Sequence, residues 1–416
     1  MGCKTAVVVL YSVLLIRHVA GTMWNKKSHR FYGKSIEDNI KTRDDMHSRC
    51  PVKVSSKTCG GNGSVSTGAR QPTSAVSVSG MSTKAYTTTD TIRISPGATP
   101  TLSSASVFQL EESWSGNNFF LGWNFWDSDD PTHGSVEYVD QPTAQANNLV
   151  SMNAAGNAVI GVETTPQVAG NRRSVRITSS SSFTGGIFIL DAVHVPTGCG
   201  TWPAFWTVGL NWPAGGEIDI VEGVNDNANN QVTLHTNPGC TLPLDFGTGN
   251  LTVGSSVLGS NCAAAETGNS GCGMQANNAN TFGPGFNNNG GGVYASYWRD
   301  TGINVYFFPR NAIPSDITAG APTPAQWGTP MATFPASQCP PSQFFYNHNI
   351  VIDTTLCGDW ASGVWGTSGA PGQEQSCAQR TGVSTCEEFV RNNGSAFQQA
   401  YWEISSVKVY QSSRQP

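Results

Sequence analysis

Short segments of alternating apolar and polar residues recur along the chain over residues 107–411. Successive side chains of a strand point to opposite faces, so this alternation indicates strands with one buried face. Clusters of Gly, Asn and Pro separate the segments, and residues 384–392 are the best candidate for a helix. The sequence therefore predicts an all-β sandwich or jelly roll with a long Asn/Gly-rich loop at 261–292. The predicted strands include 135–139, 171–178, 186–191, 231–235, 293–298, 303–308 and 401–410, the last with one uninterrupted alternation.

One segment, residues 216–223, carries three acidic side chains among β-branched residues. By the two-residue period of a strand, Glu217 and Asp219 share one face and isoleucines occupy the other. Glu222 is out of phase by one residue, and a β-bulge near Val221 would return it to the acidic face. Because an unpaired buried charge is costly, this face is expected to form the floor of a cleft. Two carboxyl groups with different pKa values in a cleft are what cleavage of a glycosidic bond requires.

The acidic segment resembles the signature of glycoside hydrolase family 16 in its bulged, laminarinase-type form. Further motifs similar to those of fungal secreted members are CGTWPAFW at 199–206, NWPAGG at 211–216, TLHT at 233–236, FFPR at 307–310 and CGDW at 357–360. The resemblance covers roughly residues 107–411. It implies a concanavalin-like β-jelly-roll with a concave substrate cleft, and a retaining β-glucanase or a related transglycosylase.

The resemblance also implies roles for individual residues. Glu217 matches the nucleophile of the motif, Glu222 the acid/base, and Asp219 the carboxyl group that assists between them. Sugar contacts are implied for Trp206, Trp212, His235, Trp360 and Arg176. The ordinary alternatives are a core position for each Trp, a structural histidine, and a surface ion pair for the arginine; Trp202 fits either a cleft or a core position. Neither a metal nor a cofactor is expected.

Charge divides the chain near residue 100. Residues 1–100 hold 14 Lys and Arg against 5 Asp and Glu, whereas residues 101–416 hold 9 against 23. The acidic part argues against a nucleic-acid partner, since phosphates require a basic surface. The basic part favours a solvated tail over a weak surface-binding arm. The expected partner is therefore a β-glucan substrate, bound by a monomer.

The first residues have the pattern of a signal peptide. Lys4 precedes an apolar run at 6–16, which is shorter than the roughly 20 residues needed to span a bilayer. Small residues follow at Ala20 and Gly21, as a cleavage site requires, and a short buried segment is the alternative. No membrane association is expected after its removal. The predicted organisation is a signal peptide at 1–21, a disordered basic and then Ser/Thr-rich segment at 22–105, and a catalytic jelly-roll domain at 106–416.

Eight of the eleven cysteines lie in the acidic part, and none has the C-x-x-C spacing of a zinc site. They predict disulfides, an oxidising compartment and a secreted protein, although the sequence leaves their pairing open. A pair between Cys262 and Cys272 would hold the predicted Asn/Gly-rich loop. Asn62, Asn250 and Asn393 begin glycosylation sequons, which suit a secreted surface.

Three functions fit these features. The first is a secreted endo-β-glucanase that hydrolyses β-1,3 or mixed β-1,3/1,4-glucan by a retaining double displacement. The second is a cell-wall glucan transglycosylase that uses the same carboxylates. The third is a non-catalytic β-glucan-binding lectin on the same fold, against which the presence of both glutamates argues.

Residues 22–105 are predicted to be dispensable for catalysis, because their composition cannot offset the chain entropy of folding and every motif lies beyond them. A truncated protein that begins at Ser106 should fold and cleave laminarin with a kcat/KM close to that of the longer protein. Loss of the cooperative thermal transition or of activity on truncation would show that the segment belongs to the fold.

Overall fold

The computed structural model describes residues 107–243 and 254–412. Outside the described residues lie the predicted signal peptide, the segment 22–105, Cys3, Cys50, Cys59, and the sequons at Asn62 and Asn250. The described strands are β1 Phe108–Ser115, β2 Trp123–Phe125, β3 Val136–Tyr138, β4 Val150–Met152, β5 Ala158–Gly161, β6 Arg172–Ser174, β7 Arg176–Ser179, β8 Gly186–His194, β9 Thr201–Val208, β10 Glu217–Glu222, β11 Gln231–His235, β12 Ser255–Val257, β13 Cys272–Ala276, β14 Gly292–Arg299, β15 Gly302–Pro309, β16 Ala332–Pro335, β17 Asn349–Leu356 and β18 Tyr401–Ser412.

The helices in the described part of the chain are short. None of the described helices has both the length and the apolar composition needed to span a membrane. The predicted helix is confirmed as the last one, where the Thr385 side chain accepts a hydrogen bond from the Glu388 amide and two glutamates occupy the first turn. The α-helices are α1 Gln141–Ala146, α2 Gly283–Asn288, α3 Ser315–Thr318, α4 Pro341–Phe344, α5 Gly358–Gly363, α6 Cys377–Thr381 and α7 Cys386–Asn392.

Two large antiparallel sheets share one apolar core, as the predicted jelly roll requires. The cleft sheet has the strand order β12-β13-β11-β10-β9-β17-β7-β2, which places β10 near its centre. The back sheet has the order β16-β15-β14-β8-β18-β5-β4, with β1 also paired to β18. Ile218 and Phe205 of the cleft sheet and Phe188, Leu190 and Trp402 of the back sheet are among the fully buried core residues. The core thus anchors β10 from below and leaves its other face for the cleft.

The strand β18 differs from its prediction in phase. Trp402 and Ile404 face the core, but the register against β8 shifts on both sides of Ile404, and the core positions then become Val407 and Val409. A single alternation over 401–410 is therefore wrong, because bulged pairing moves the apolar face by one residue.

Two further predictions are corrected by the structure. The segment 171–178 is not one strand: β6 pairs in parallel with β3, whereas β7 joins the cleft sheet between β17 and β2. The span 261–292 is not a loop, since it contains the helix α2 and the strand β13, which pairs between β11 and the edge strand β12 of the cleft sheet. In both regions short elements are fixed by long-range pairing that local patterns do not reveal.

All eight cysteines of the acidic part form disulfides, so this prediction is confirmed, including the pair that was anticipated between Cys262 and Cys272. A second, smaller core that contains Trp365, Phe389 and Phe397 lies beside two of the bridges. The four bridges are Cys199–Cys377, Cys240–Cys339, Cys262–Cys272 and Cys357–Cys386.

Disulfide removal should destabilise the protein according to the loop that each bridge closes. Cys199–Cys377 spans 178 residues and Cys262–Cys272 spans 10. Loop-closure entropy assigns about 5 kcal/mol to the first and about 3 kcal/mol to the second. The paired Ala variant at Cys199 and Cys377 should therefore lose more free energy of unfolding in guanidinium chloride than the pair at Cys262 and Cys272. The reverse order would contradict this explanation.

Candidate active site

The strand β10 carries its three carboxyl groups on the floor of the cleft. Glu217 pairs in register with Val208 on β9 and with His235 on β11. The register then shifts against both neighbours between Asp219 and Glu222, which confirms the β-bulge predicted near Val221. Because Ile218, Ile220 and Val221 are all buried in the core, the extra residue is absorbed on the apolar side and Glu222 returns to the acidic face.

Glu217, Asp219 and His235 form a compact cluster. One oxygen or nitrogen atom of each lies within 4.8 Å of the others. The distance from His235 Nε2 to Asp219 Oδ2 is 3.3 Å, and both side chains are almost fully buried. Glu217 is half-buried and remains open to the cleft. The histidine predicted to face the cleft thus lies beside the acids.

Burial is the largest cause of a raised pKa for all three carboxyl groups. It raises the pKa of Glu217 to about 7 together with the charge of Asp219, while His235 opposes the shift. Burial also raises the pKa of Asp219, against a hydrogen bond with Glu217. For Glu222, burial and then the charge of Asp219 raise the pKa well above its ordinary range. Burial therefore favours the protonated form of each carboxyl group, and the repulsion between like charges is the smaller contribution for Glu217 and Glu222.

Trp202, which the sequence left open, lies in the cleft beside Glu222. Its Nε1 donates a hydrogen bond of 2.8 Å to Glu222 Oε1, and its ring meets that of Trp360 edge-on at 5.7 Å. Gly358 packs against the same ring: a Cβ there would approach it to 3.2 Å, and its φ is +70°. Trp202 is thus held from two sides with its N–H directed at the carboxyl group.

Arg176 is a buried cleft residue and not part of a surface ion pair. Its guanidinium carbon lies 5.1 Å from the ring centroid of Trp126 and 4.9 Å from that of Trp206. Its Nη1 is 3.8 Å from Asp353 Oδ2, and both side chains are nearly inaccessible. Trp206 Nε1 donates to the same oxygen at 3.2 Å. The arrangement fixes the plane of the Trp206 ring.

Trp212 lies in the connection between β9 and β10. It is half-buried, and its side chain interacts with Glu217 in the direction that lowers the pKa of that carboxyl group. The predicted site residues therefore lie on β7, β9, β10 and β11 and in the connection between β9 and β10. Trp360 lies in α5, the helix that follows β17.

Sequence reasoning missed Asp353 and Trp126. Burial raises the pKa of Asp353 to about 7, although Arg176 opposes the shift. The available indication was a carboxylate inside the otherwise buried strand β17, the same anomaly that identified β10. Trp126 belongs to an aromatic run at 119–126 in which cleft and core positions cannot be separated by pattern alone.

Most glycoside hydrolases cleave sugar chains with a pair of carboxyl groups, and aromatic rings beside such a pair suit the binding of sugar rings; the protein is of this class. Residues 123–410 match the family profile described as "XgeA-like, catalytic GH16 domain". The chain belongs to glycoside hydrolase family 16.

Fungal proteins are among its relatives. A probable glycosidase of Schizosaccharomyces pombe is 43% identical over 310 residues, which cover 74% of this chain and 70% of the relative. The endo-1,3(4)-β-glucanase xgeA of Emericella nidulans is 41% identical over 311 residues, 74% of this chain and 48% of the relative. A probable endo-1,3(4)-β-glucanase of Aspergillus clavatus is 43% identical over 309 residues, which cover 73% of this chain and 46% of the relative. The chain thus spans about half the length of the last two.

Solved structures of the same family have the same fold. Laminarinase 16A from Phanerochaete chrysosporium, with 6-O-glucosyl-laminaritriose in its donor and acceptor sites, superimposes with a TM-score of 0.66 at 41% identity over 73% of this chain and 99% of that one. An elongating GH16 β-1,3-glucosyltransferase superimposes with a TM-score of 0.64 at 38% identity, over 73% of this chain and 100% of the other. The predicted jelly roll is thereby confirmed.

Proposed function

We propose that the protein is a secreted endo-β-glucanase that hydrolyses β-1,3 or mixed β-1,3/1,4-glucan with retention of configuration. The observation that carries this proposal is the bulge in β10, which brings Glu217, Asp219 and Glu222 onto one face of the cleft. The endo-1,3(4)-β-glucanases among the relatives support a glucan substrate.

In the proposed first step, Glu222 donates its proton to the glycosidic oxygen while Glu217 attacks the anomeric carbon and forms a glycosyl-enzyme. Glu222 suits the proton donor because burial raises its pKa well above the ordinary range. Glu217 suits the nucleophile because it is the carboxyl group that remains open to the cleft. Asp219 hydrogen-bonds to Glu217 and is positioned in turn by His235.

In the second step, water attacks the anomeric carbon as Glu222 takes its proton, and Glu217 is released. The charge of Glu217 contributes to the raised pKa of Glu222 in the free protein. Once Glu217 is an ester, that charge is gone and the pKa of Glu222 falls. The same residue then serves as a base, as the double displacement requires.

Half-buried aromatic rings supply the proposed sugar-binding surface. Sugar rings expose C–H groups that pack on aromatic faces, so Trp206, Trp212 and Trp360 would line successive subsites. Arg176 would act mainly by fixing Trp206, since its guanidinium is already enclosed by two rings and Asp353.

A glucan transglycosylase is the second candidate, favoured by the similarity to an elongating β-1,3-glucosyltransferase over all of that chain. Its chemistry differs only in the acceptor that attacks the glycosyl-enzyme. Time-resolved product analysis on laminarin separates the two: hydrolysis gives only shorter chains, whereas transfer also gives chains longer than the substrate.

The remaining parts of the proposal concern the setting of the enzyme. The four disulfides support an oxidising compartment and hence secretion. We assign catalysis to residues 106–416, acting as a monomer on β-glucan without a metal, cofactor or nucleic-acid partner.

The effect of the substitution Glu222→Ala on the rate should depend on the leaving group of the substrate. Hydrolysis of laminarin should fall by about 10²- to 10⁴-fold, the usual contribution of general acid catalysis. Glycosylation by a dinitrophenyl β-glucoside needs little protonation and should be much less affected. Added azide needs no base and should restore turnover as a β-glycosyl azide, identified by NMR.

The matched control is Glu217→Gln, in which the amide is nearly isosteric with the carboxyl group. It should abolish glycosyl-enzyme formation with both substrates, and azide should not rescue it as a β-product. An α-glycosyl azide from Glu222→Ala, or no rescue at all, would contradict the retaining mechanism with these roles.

Substitution Trp202→Phe should move the pH profile. The indole N–H stabilises the ionised form of Glu222, so its loss raises the pKa of that carboxyl group further. Because the protonated form is the donor, the alkaline limb of kcat/KM should move to higher pH by about one unit. Trp360→Phe keeps the hydrogen bond and should leave the limb in place. An acidward shift in Trp202→Phe would refute the interpretation.

A further inference from the structure

The β-bulge that returns Glu222 to the cleft is bridged by one buried side chain. Asn230 is fully buried in the connection between β10 and β11. Its Oδ1 accepts a hydrogen bond of 3.0 Å from the Glu222 backbone N–H, and its Nδ2 donates one of 2.9 Å to the Ile220 carbonyl. The two ends of the amide thus bind the two sides of the bulge.

This bridge matters because a bulge removes backbone groups from the ordinary ladder, and buried backbone groups need partners. A carboxamide supplies one acceptor and one donor at a fixed separation, which few side chains do. Without the bulge, the two-residue period would turn Val221 toward the cleft and Glu222 into the core. The bridge therefore stabilises the phase on which the position of the carboxyl group depends.

Asn230 is itself fixed by the region that the sequence suggested was a loop. Its backbone N–H donates to Thr281 Oγ1 at 3.0 Å, and its carbonyl accepts from the Ala276 N–H at 2.8 Å. The side chain of the neighbouring Asn229 donates to the Ala276 carbonyl at 2.6 Å, and among the described residues it makes no hydrogen bond to the bulge. The amide of Asn230 is thus directed at the bulge by contacts on its own main chain.

We propose that Asn230 is a positioning residue for proton transfer, acting through the backbone of the bulge to hold Glu222 in place. The inference rests on the acid/base role proposed above for Glu222. It predicts that loss of the amide bridge impairs the step that needs a proton donor more than the step that needs only the nucleophile.

The first test is Asn230→Ala assayed with laminarin and with a dinitrophenyl β-laminaribioside. The kcat/KM for laminarin should fall by about 10- to 100-fold, part of the usual contribution of general acid catalysis. Formation of the glycosyl-enzyme from the activated substrate should change by less than threefold. Active sites are counted by trapping with a 2-fluoro analogue, so unfolded protein does not enter the rates. Asn229→Ala, a buried asparagine one residue away, should affect both substrates equally.

The second test is Asn230→Asp. This substitution keeps the shape of the side chain but makes the hydrogen-bond bridge depend on the protonation of a carboxyl group. A protonated carboxyl group can accept from Glu222 and donate to Ile220, whereas an ionised one cannot donate. Because burial favours the neutral form, the variant should approach native laminarin activity at acidic pH. Its activity relative to the native enzyme should then fall as pH rises through the pKa of the new group.

A proportional loss on both substrates in Asn230→Ala, or an Asn230→Asp to native ratio independent of pH, would overturn the proposal. Glu222→Ala measured in parallel distinguishes failure of the role proposed for Asn230 from failure of the proposed function. If it separates the substrates and Asn230→Ala does not, only the role of Asn230 fails. If Glu222→Ala itself shows no separation, the proposed function fails, and the role of Asn230 fails with it.

Discussion

Desolvation of three carboxyl groups on one strand is the constraint on which this active site depends. Burial raises the pKa of each group on β10, and the sheet around them offsets only part of that cost. Trp202 donates to Glu222, and His235 lies beside Asp219. If the surrounding groups offset the whole cost of burial, the carboxyl groups would keep their ordinary low pKa values. They would then be ionised near neutral pH and could not donate a proton. Partial compensation keeps protons in the cleft, which suits an enzyme that must begin by protonating its substrate.

The same principle explains why Arg176 does not neutralise the site. Its charge is matched by Asp353 and covered by two indole rings, so it lowers the pKa of Glu217 only as the smallest contribution. The pair instead orients Trp206 through the hydrogen bond to Asp353. Across the core, the indole of Trp402 in the back sheet donates to the Asp353 carbonyl. The aromatic surface of the cleft is thereby tied to both sheets.

Sequence patterns predicted the fold class, segments that overlap half of the eighteen described strands, the bulge in β10 and the acids that it aligns, because each has a local cause in side-chain alternation. They failed where the cause lies elsewhere in the chain. In β18 a bulge moves the core face between Ile404 and Val407, and no residue type marks the change. The division between β6 and β7 follows from pairing with strands that are distant in sequence. The role of Asp353 depends on its partner Arg176 on a strand distant in sequence, and disulfide pairing is likewise a property of the folded chain.

The two glutamates are held by different kinds of contact. Glu222 is held at its side chain by Trp202, which packs on Gly358, and at its backbone by Asn230. Cys357–Cys386 fixes the residue before that glycine to α7, so a bridge outside the cleft helps to position Trp202. Glu217 interacts at its side chain with Trp212 and Asp219, and it remains half-exposed to the cleft. An acid that later acts as a base must face the same oxygen position in both steps, and the amide bridge of Asn230 fixes the backbone of the group to which that requirement applies.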